Sequence, residues 1–327
     1  MLCGTTSFPG GTLGDALLAC ETCVIAKTAV WQNRYENVAI SERKESGSGG
    51  PLLRTDYETR KGVVSTLERL PREFLWKVEH LFSGPGDYDA LEALILEERF
   101  RPDFETFRQD DIRYGVHSTI GRPTTVRTPL NDLVYVYMGV ETFCFEWMDR
   151  RSEVLRLMKA LEKSYWDRVR LIADSPARFG VIEGNVDVHV FGLDRFREFC
   201  MPYIEGACQI FHEKGKLAGI HLDGDHRLLA PVIADTTLDF VESHTPPPDC
   251  DFPVAEAREA WPDKVLIVNF LSSLHRLGPA QVVEEARRIL REGSRRDGFI
   301  FGLIENVSED AAETMAPLAK AVRNFEF

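Results

Sequence analysis

No stretch of this 327-residue chain is apolar for the roughly 18–20 residues that a bilayer-spanning helix needs, so no membrane span is expected. The first residues lack a basic segment followed by an apolar one, so no secretory leader is expected either. Cations are in deficit. The 39 Lys and Arg stand against 52 Asp and Glu, a formal charge of −13 at pH 7, which argues against nucleic acid as a partner because phosphate binding needs a cationic surplus. The local basic pairs Arg287-Arg288 and Arg295-Arg296 fall on a helix pattern and its trailing loop and read as solvated surface. Cysteines are few and odd in number: Cys3, Cys20, Cys23, Cys144, Cys200, Cys208 and Cys250. That pattern suits reduced thiols in the cytoplasm better than a disulfide framework. Cys20-Glu21-Thr22-Cys23 has the C-x-x-C form, but no second pair completes a zinc site, and the stretch reads as helical. No segment is rich enough in Pro, Gly or Ser to cut the chain, so one domain spanning 1–327 is expected, irregular up to about residue 85.

Hydrophobic residues make up 44% of the chain, enough for a sizeable core. From Phe179 onward, short apolar runs alternate with longer amphipathic ones. Strands are expected at Phe179–Glu183, Leu217–His221, Leu238–Glu242, Val265–Phe270 and Gly298–Leu303. Helices are expected between them, at Leu193–Glu213, Arg227–Ala234, Val254–Trp261 (opened by Asp251), Pro279–Glu292 and Ala311–Val322. Such alternation implies parallel pairing through right-handed crossovers and leaves both an open sheet and a closed barrel in play. Earlier in the chain, Asn37–Glu42 and Arg60–Leu67 flank Ser46-Gly47-Ser48-Gly49-Gly50, which reads as a hairpin or excursion with a flexible tip. Helices follow at Asp87–Glu98 and Phe104–Asp111, a strand near Arg113–Ile120, and helices at Leu130–Trp147 and Ser152–Ile172. Asp149 and Asp194 read as helix-start caps.

In parallel βα architectures the C-terminal strand ends form the active-site face. Polar groups end five of the apolar runs: Glu183-Gly184-Asn185, His221 to His226, Glu242-Ser243-His244, Asn269, and Glu305-Asn306. Within Gly219-Ile220-His221-Leu222-Asp223-Gly224-Asp225, strand alternation puts His221 and Asp223 on one face, able to ligate one metal or to act as an acid–base pair. A structural His–Asp hydrogen bond satisfies the same spacing.

From about Tyr88 to the C-terminus the chain resembles the uroporphyrinogen decarboxylase superfamily, which includes decarboxylases and cobamide-dependent methyltransferases. The carrying stretches are Pro129-Leu130-Asn131-Asp132-Leu133, Phe191 to Pro202, His212 to Lys216, His221 to Asp225, Glu242 to Pro248, and Gly298 to Asn306. The resemblance implies a (β/α)8 TIM barrel and decides for closure. It also implies a binding role at the barrel mouth for Asn185, and with it Glu242, His244, Asn269 and Asp225 are candidate substrate-binding residues. The chain departs from the true decarboxylases, which carry an Arg-Gln-Ala-Gly-Arg motif near the N-terminus and a Gly-His-Gly motif at the last strand. Here Trp31-Gln32-Asn33-Arg34 and Leu303-Ile304-Glu305-Asn306 stand instead. The thiol methyltransferases of the superfamily bind zinc through a His-x-Cys pair and a later Cys. His221 matches the histidine, Asp223 replaces the first cysteine, and Glu305 lies at about the place of the second.

What the resemblance implies is therefore a methyltransferase-like enzyme moving a methyl group between a corrinoid carrier, or a small methylated substrate, and an acceptor. His221, Asp223 and Glu305 are its catalytic set and would hold zinc or another divalent ion. The partners implied are a small-molecule substrate and a corrinoid protein, with a homodimer left open. Two alternatives stand beside it. One is a decarboxylase acting on a smaller acid, with Arg34, Arg54 and Arg60 as the available cations. The other is a catalytically idle barrel that binds a corrinoid or tetrapyrrole.

Overall fold

The computed structural model describes residues 2–5, 23–70, 77–114, 120–123, 125–293, 297–303 and 312–326. They divide into two compact units, Met1–Val30 with Asp103–Val126 and Val169–Phe327, and Trp31–Pro102 with Arg127–Arg168.

The first unit is built on eight parallel strands: β1 (Leu2–Thr5), β2 (Cys23–Thr28), β3 (Ile120–Pro123), β4 (Phe179–Ile182), β5 (Leu217–His221), β6 (Phe240–His244), β7 (Val265–Phe270) and β8 (Phe299–Leu303). They are hydrogen-bonded in the order β4-β5-β6-β7-β8-β1-β2-β3. Just past β3, Val126 forms an isolated parallel bridge to Ile182 of β4. Its amide donates to the Val181 carbonyl at 3.0 Å, and the Glu183 amide donates to the Val126 carbonyl at 2.9 Å. Strands such as Phe179–Ile182, buried at every position, read as continuous apolar runs because helices cover the face turned away from the sheet's own core. The helix Pro279–Gly293 starts on a proline and buries Val282, Ala286, Ile289 and Leu290 along one stripe.

One face of the sheet carries an apolar layer in which Phe179, Val181, Phe240 and Ile267 are buried against one another, with Val265 and Ile300 packed on them. Gly219 makes room for it, since a Cβ there would lie 2.0 Å from the Phe240 ring. The N-terminal strand ends are tied by buried cations. Lys264, just before β7, donates from Nζ to the carbonyls of Thr236 (2.9 Å) and Leu238 (3.0 Å) ahead of β6. Lys216, half-buried just before β5, makes the same kind of contact with the Ser175 (2.8 Å) and Ala177 carbonyls ahead of β4. Arg258 donates to the carbonyls of Lys264 (3.1 Å), Gly298 (3.0 Å) and Pro262 (3.1 Å). Buried cations satisfied by convergent carbonyls keep those carbonyls from being orphaned.

The second unit holds a four-stranded antiparallel sheet of Ala39–Gly47, Gly50–Thr59, Gly62–Arg69 and Lys77–Glu79, in that order. A two-stranded ribbon, Trp31–Tyr35 with Glu98–Pro102, lies in the same unit. Within it Arg168 pairs with Asp132 at 2.5 Å and lies over the Phe100 ring, 5.6 Å from its centroid.

Several sequence expectations are corrected. The excursion is a full sheet whose tight turn falls at Ser48-Gly49, so Gly50–Thr59 is a strand that the Gly-rich run concealed. The helix expected over Leu193–Glu213 is two, Leu193–Phe199 and Met201–Glu213, because Pro202 has no N–H with which to continue the first. The helical run from Leu130 breaks at Gly139, whose φ of 78° ends it before Val140–Asp149 begins. The residues near Arg113 are helical, in Phe104–Tyr114, and the strand starts only at Ile120. Cys23 opens β2 rather than lying in a helix, while Cys20 lies outside the described residues. Asp149 ends its helix, and Asp194 sits second in a helix capped by Gly192. Strand β6 runs on to His244, two residues beyond the expected end.

Replacing Lys264 with Met removes the Nζ donors from the Thr236 and Leu238 carbonyls and should cost roughly 1–3 kcal/mol for each carbonyl left unsatisfied. A urea midpoint lowered at unchanged m-value is the expected outcome; a midpoint equal to the parent's would mean that water reaches those carbonyls.

Candidate functional site

Strands β5 and β6 are in register at their C-terminal ends, so that His221 lies beside Glu242. The His221 Nδ1 and a Glu242 carboxylate oxygen are 2.5 Å apart, with side-chain exposures of 12% and 7%. The other ring nitrogen, Nε2, is 3.3 Å from Asp223 Oδ2. The Asn185 amide, from the loop after β4, donates to that same oxygen at 3.1 Å. The second Asp223 oxygen, Oδ1, is buried and meets no hydrogen-bond donor among the described residues. Burial by itself would lower the His221 pKa, but the charges and hydrogen bonds of Glu242 and Asp223 outweigh it and hold it above the ordinary value. Burial likewise pushes Asp223 up, yet its hydrogen bond and charge contact with His221 prevail and hold that carboxyl below the usual range.

The backbone around these side chains is strained. Glu183, Asn185 and Ser243 all adopt positive φ (63°, 59° and 67°), and the first two flank the turn that presents Asn185. Each such residue costs on the order of 1–3 kcal/mol and persists only where its surroundings over-determine it. The loop after β5 is held closely as well. A Cβ on Gly224 would lie 2.6 Å from the Val186 carbonyl oxygen, so only glycine lets this loop pass against the one after β4. Asp251 accepts from the amides of His226 (3.0 Å) and Arg227 (3.1 Å), and the Cys250 thiol donates to the Asp223 carbonyl at 3.0 Å. Asp251 therefore holds the β5 loop rather than opening the helix Val254–Ala260, whose N-cap is Pro253.

The eight residues singled out from the sequence separate into groups. His221, Asp223, Glu242 and Asn185 come together. Asp225 turns its carboxylate to the exposed His189, 3.2 Å away, and its carbonyl to the Val188 amide. Asn269 donates from Nδ2 to Ser243 O (3.2 Å), Ser243 Oγ (2.9 Å) and Thr245 Oγ1 (3.1 Å), which makes it a clamp on the end of β6. His244 leaves the group. The register between β6 and β7 shifts between Val241 and His244, and with Ser243 left-handed the ring enters a cluster of His226, Phe252 and Trp261. Glu305 and Asn306 lie outside the described residues. Among the described residues, no three His, Cys, Asp or Glu side chains gather as a metal-holding set. Arg34 and Arg54 belong to the second unit and are paired there, Arg34 with Glu36 and Arg54 with Glu45 and Glu79.

Sequence reasoning missed the histidine pair. His226 Nδ1 faces the Gly224 carbonyl at 2.6 Å, so it carries the hydrogen, and Nε2 accepts from His244 Nδ1 at 2.9 Å. Both rings are buried and neutral. Burial lowers the pKa of each, and for His244 the neighbouring His226 lowers it further. No local signal in the sequence marks this pairing, because the two residues meet only across β5 and β6.

A histidine whose folded pKa is depressed takes up its proton first in the unfolded chain. The stability it contributes is therefore whole above the unfolded value of about 6.5 and drains away as pH falls below it. His221, raised instead, acts with the opposite sign. The melting temperature should fall between about pH 6.5 and pH 5. His244→Gln should be less stable at neutral pH but show a flatter decline; a slope as steep as the parent's would assign the acid sensitivity elsewhere.

No protein-family model matches the chain, and no curated protein matches it. Among solved structures, a methyltransferase from Methanosarcina mazei is similar at 12% identity and a TM-score of 0.48, covering 86% of this chain and 76% of that one. A thiamine phosphate pyrophosphorylase from Pyrococcus furiosus is 16% identical at a TM-score of 0.23, covering 47% and 87%. A nitroalkane oxidase from Streptomyces ansochromogenes is 11% identical at 0.26, covering 68% and 75%. At these scores and identities the likenesses identify neither a family nor an activity.

Proposed function

We propose that the chain is a methyltransferase-like enzyme of the uroporphyrinogen decarboxylase superfamily, in which His221, Asp223 and Glu305 hold a divalent ion, zinc first among them. The observation that carries this reading is the 3.3 Å between His221 Nε2 and Asp223 Oδ2. That is long for a charge-assisted hydrogen bond, which runs about 2.7–2.9 Å. It suits two ligands of one tetrahedral zinc, each about 2.0–2.1 Å from the ion and so about 3.4 Å from one another. The donor set is an imidazole with carboxylates, harder than a thiolate pair and compatible with zinc. When bound, the ion would act as a Lewis acid that lowers the pKa of a coordinated thiol or water.

The chain's own residues then have definite tasks. Asn185 orients Asp223 by holding Oδ2. The buried layer of Phe179, Val181, Phe240 and Ile267 lies on the face that His221 and Glu242 continue toward the strand ends, and it gives the polar group an apolar, water-poor floor. A small neutral methylated molecule, or a corrinoid carrier, is the donor that fits. Substrate carboxylates fit poorly, because Asp223 and Glu242 would repel them and, among the described residues, the charge of opposite sign beside them is the imidazole of His221. That weighs against the decarboxylase reading.

The scaffold proposed is a (β/α)8 barrel closed between β3 and β4. The Val126–Ile182 bridge and its two hydrogen bonds support it, since they tie the segment just past β3 to β4, at the two ends of the sheet order. Closure predicts slow hydrogen exchange at the Val126 and Glu183 amides, on the scale of the central strands; rapid exchange at both would argue for an open sheet.

Elemental analysis of protein prepared without chelator should find stoichiometric metal in the parent and little in His221→Ala. The loaded parent should transfer a methyl group from methylcobalamin to a small thiol, and His221→Ala should not. Negligible metal in both proteins would reject the metal reading and leave His221 as a proton donor between two carboxylates.

A further inference from the structure

We infer that Glu242 is a positioning residue for the metal, acting through His221 and set in its place by Asn269. The inference rests on the metal reading above and adds the residues that aim its histidine ligand. A carboxylate only accepts hydrogen bonds, so the 2.5 Å contact with Glu242 places a hydrogen on His221 Nδ1. In the neutral ring the lone pair then belongs to Nε2, the nitrogen that lies 3.3 Å from Asp223 Oδ2. A ligating histidine whose other nitrogen donates to a carboxylate is fixed in tautomer and ring orientation, and its basicity is raised. Glu242 is placed to do this by the backbone. It stands in register with His221 on the neighbouring strand. In an unbroken strand Glu242 and His244 would share a face, two residues apart. The shift at the end of β6 and the left-handed Ser243 send His244 into the cluster with Phe252 and Trp261 and leave Glu242 beside His221. Three hydrogen bonds from the Asn269 amide, to Ser243 O, Ser243 Oγ and Thr245 Oγ1, hold that conformation.

The test is zinc affinity of the full-length chain, measured by competition with a chromogenic chelator. Glu242→Met, of similar length and with no acceptor for an N–H, should bind zinc about 10–100-fold more weakly than the parent. Glu242→Gln keeps an amide oxygen for Nδ1 without the charge and should fall between the two. Glu256→Gln, which removes a surface carboxylate paired with Arg227, should match the parent. Circular dichroism screens each variant for folding, and if Glu242→Met does not fold, Glu242→Gln carries the comparison. A second readout needs no metal. Nitrogen-15 correlation of the His221 ring in metal-free protein at alkaline pH should show the hydrogen on Nδ1 in the parent and on Nε2 in Glu242→Met. Zinc affinities within twofold of the parent for both Glu242 variants would overturn the role. So would a parent ring protonated on Nε2. A parent that binds no zinc but keeps its hydrogen on Nδ1 would reject the metal reading while leaving Glu242 as the residue that sets the His221 ring.

Discussion

Between a ring 12% exposed and a carboxylate 7% exposed, the 2.5 Å contact of His221 with Glu242 fastens β5 to β6 at the end of the sheet where polar groups collect. Two titratable side chains with so little access to water are tolerable only as partners, since either one alone would be a buried polar group lacking its hydrogen bond. Everything nearby serves to keep them facing. The register of the two strands sets their heights, the Asn269 clamp sets the direction of Glu242, and Gly224 lets the chain turn at once after Asp223. Asp223 then borders the pair with one oxygen held by Asn185 and His221 and the other buried, with no donor to it among the described residues.

The two ends of the strands divide the work. At the N-terminal ends, Lys216, Lys264 and Arg258 donate hydrogen bonds to backbone carbonyls. At the C-terminal ends, carboxylates, an imidazole and an amide face one another, and three non-glycine residues are left-handed. Strain at one end is sustained by order at the other, the arrangement expected where a scaffold holds reactive side chains on short loops.

The His226–His244 pair is packed into the scaffold. Trp261 stacks on His226 with ring planes 12° apart, and its indole N–H donates to the Ala230 carbonyl at 3.0 Å. The two imidazoles thereby tie the loop after β5 to the end of β6 from the helix side, while His221 and Glu242 tie the same strands from the other. Both ties rely on proton positions, one on neutral rings and one on a ring flanked by carboxylates, so acid presses on them in opposite senses.

What the sequence determined unaided was the parallel βα alternation from Phe179 onward and the gathering of polar residues at strand ends, because apolar runs and their polar stops are local patterns with a fixed period. The placing of His221 and Asp223 on one face follows from the same period of two. Two partners, Glu242 and Asn185, were visible as strand-end residues, but their contacts were not, since register between strands is a matter of which backbones pair. Local rules misplaced others. His244 was a candidate for binding substrate, and the register shift at the end of β6 sends its ring into the cluster with His226, Phe252 and Trp261. Asn269 was expected to meet a ligand and holds a backbone instead. The strand Gly50–Thr59 was hidden by its glycine-rich start, and the carbonyl-capping roles of Lys216 and Lys264 were invisible because a lysine before a strand has no local signature. For Asn269, Lys264 and Lys216 the deciding hydrogen bonds join residues 26 to 41 positions apart, and only tertiary packing selects which of the locally allowed conformations survives.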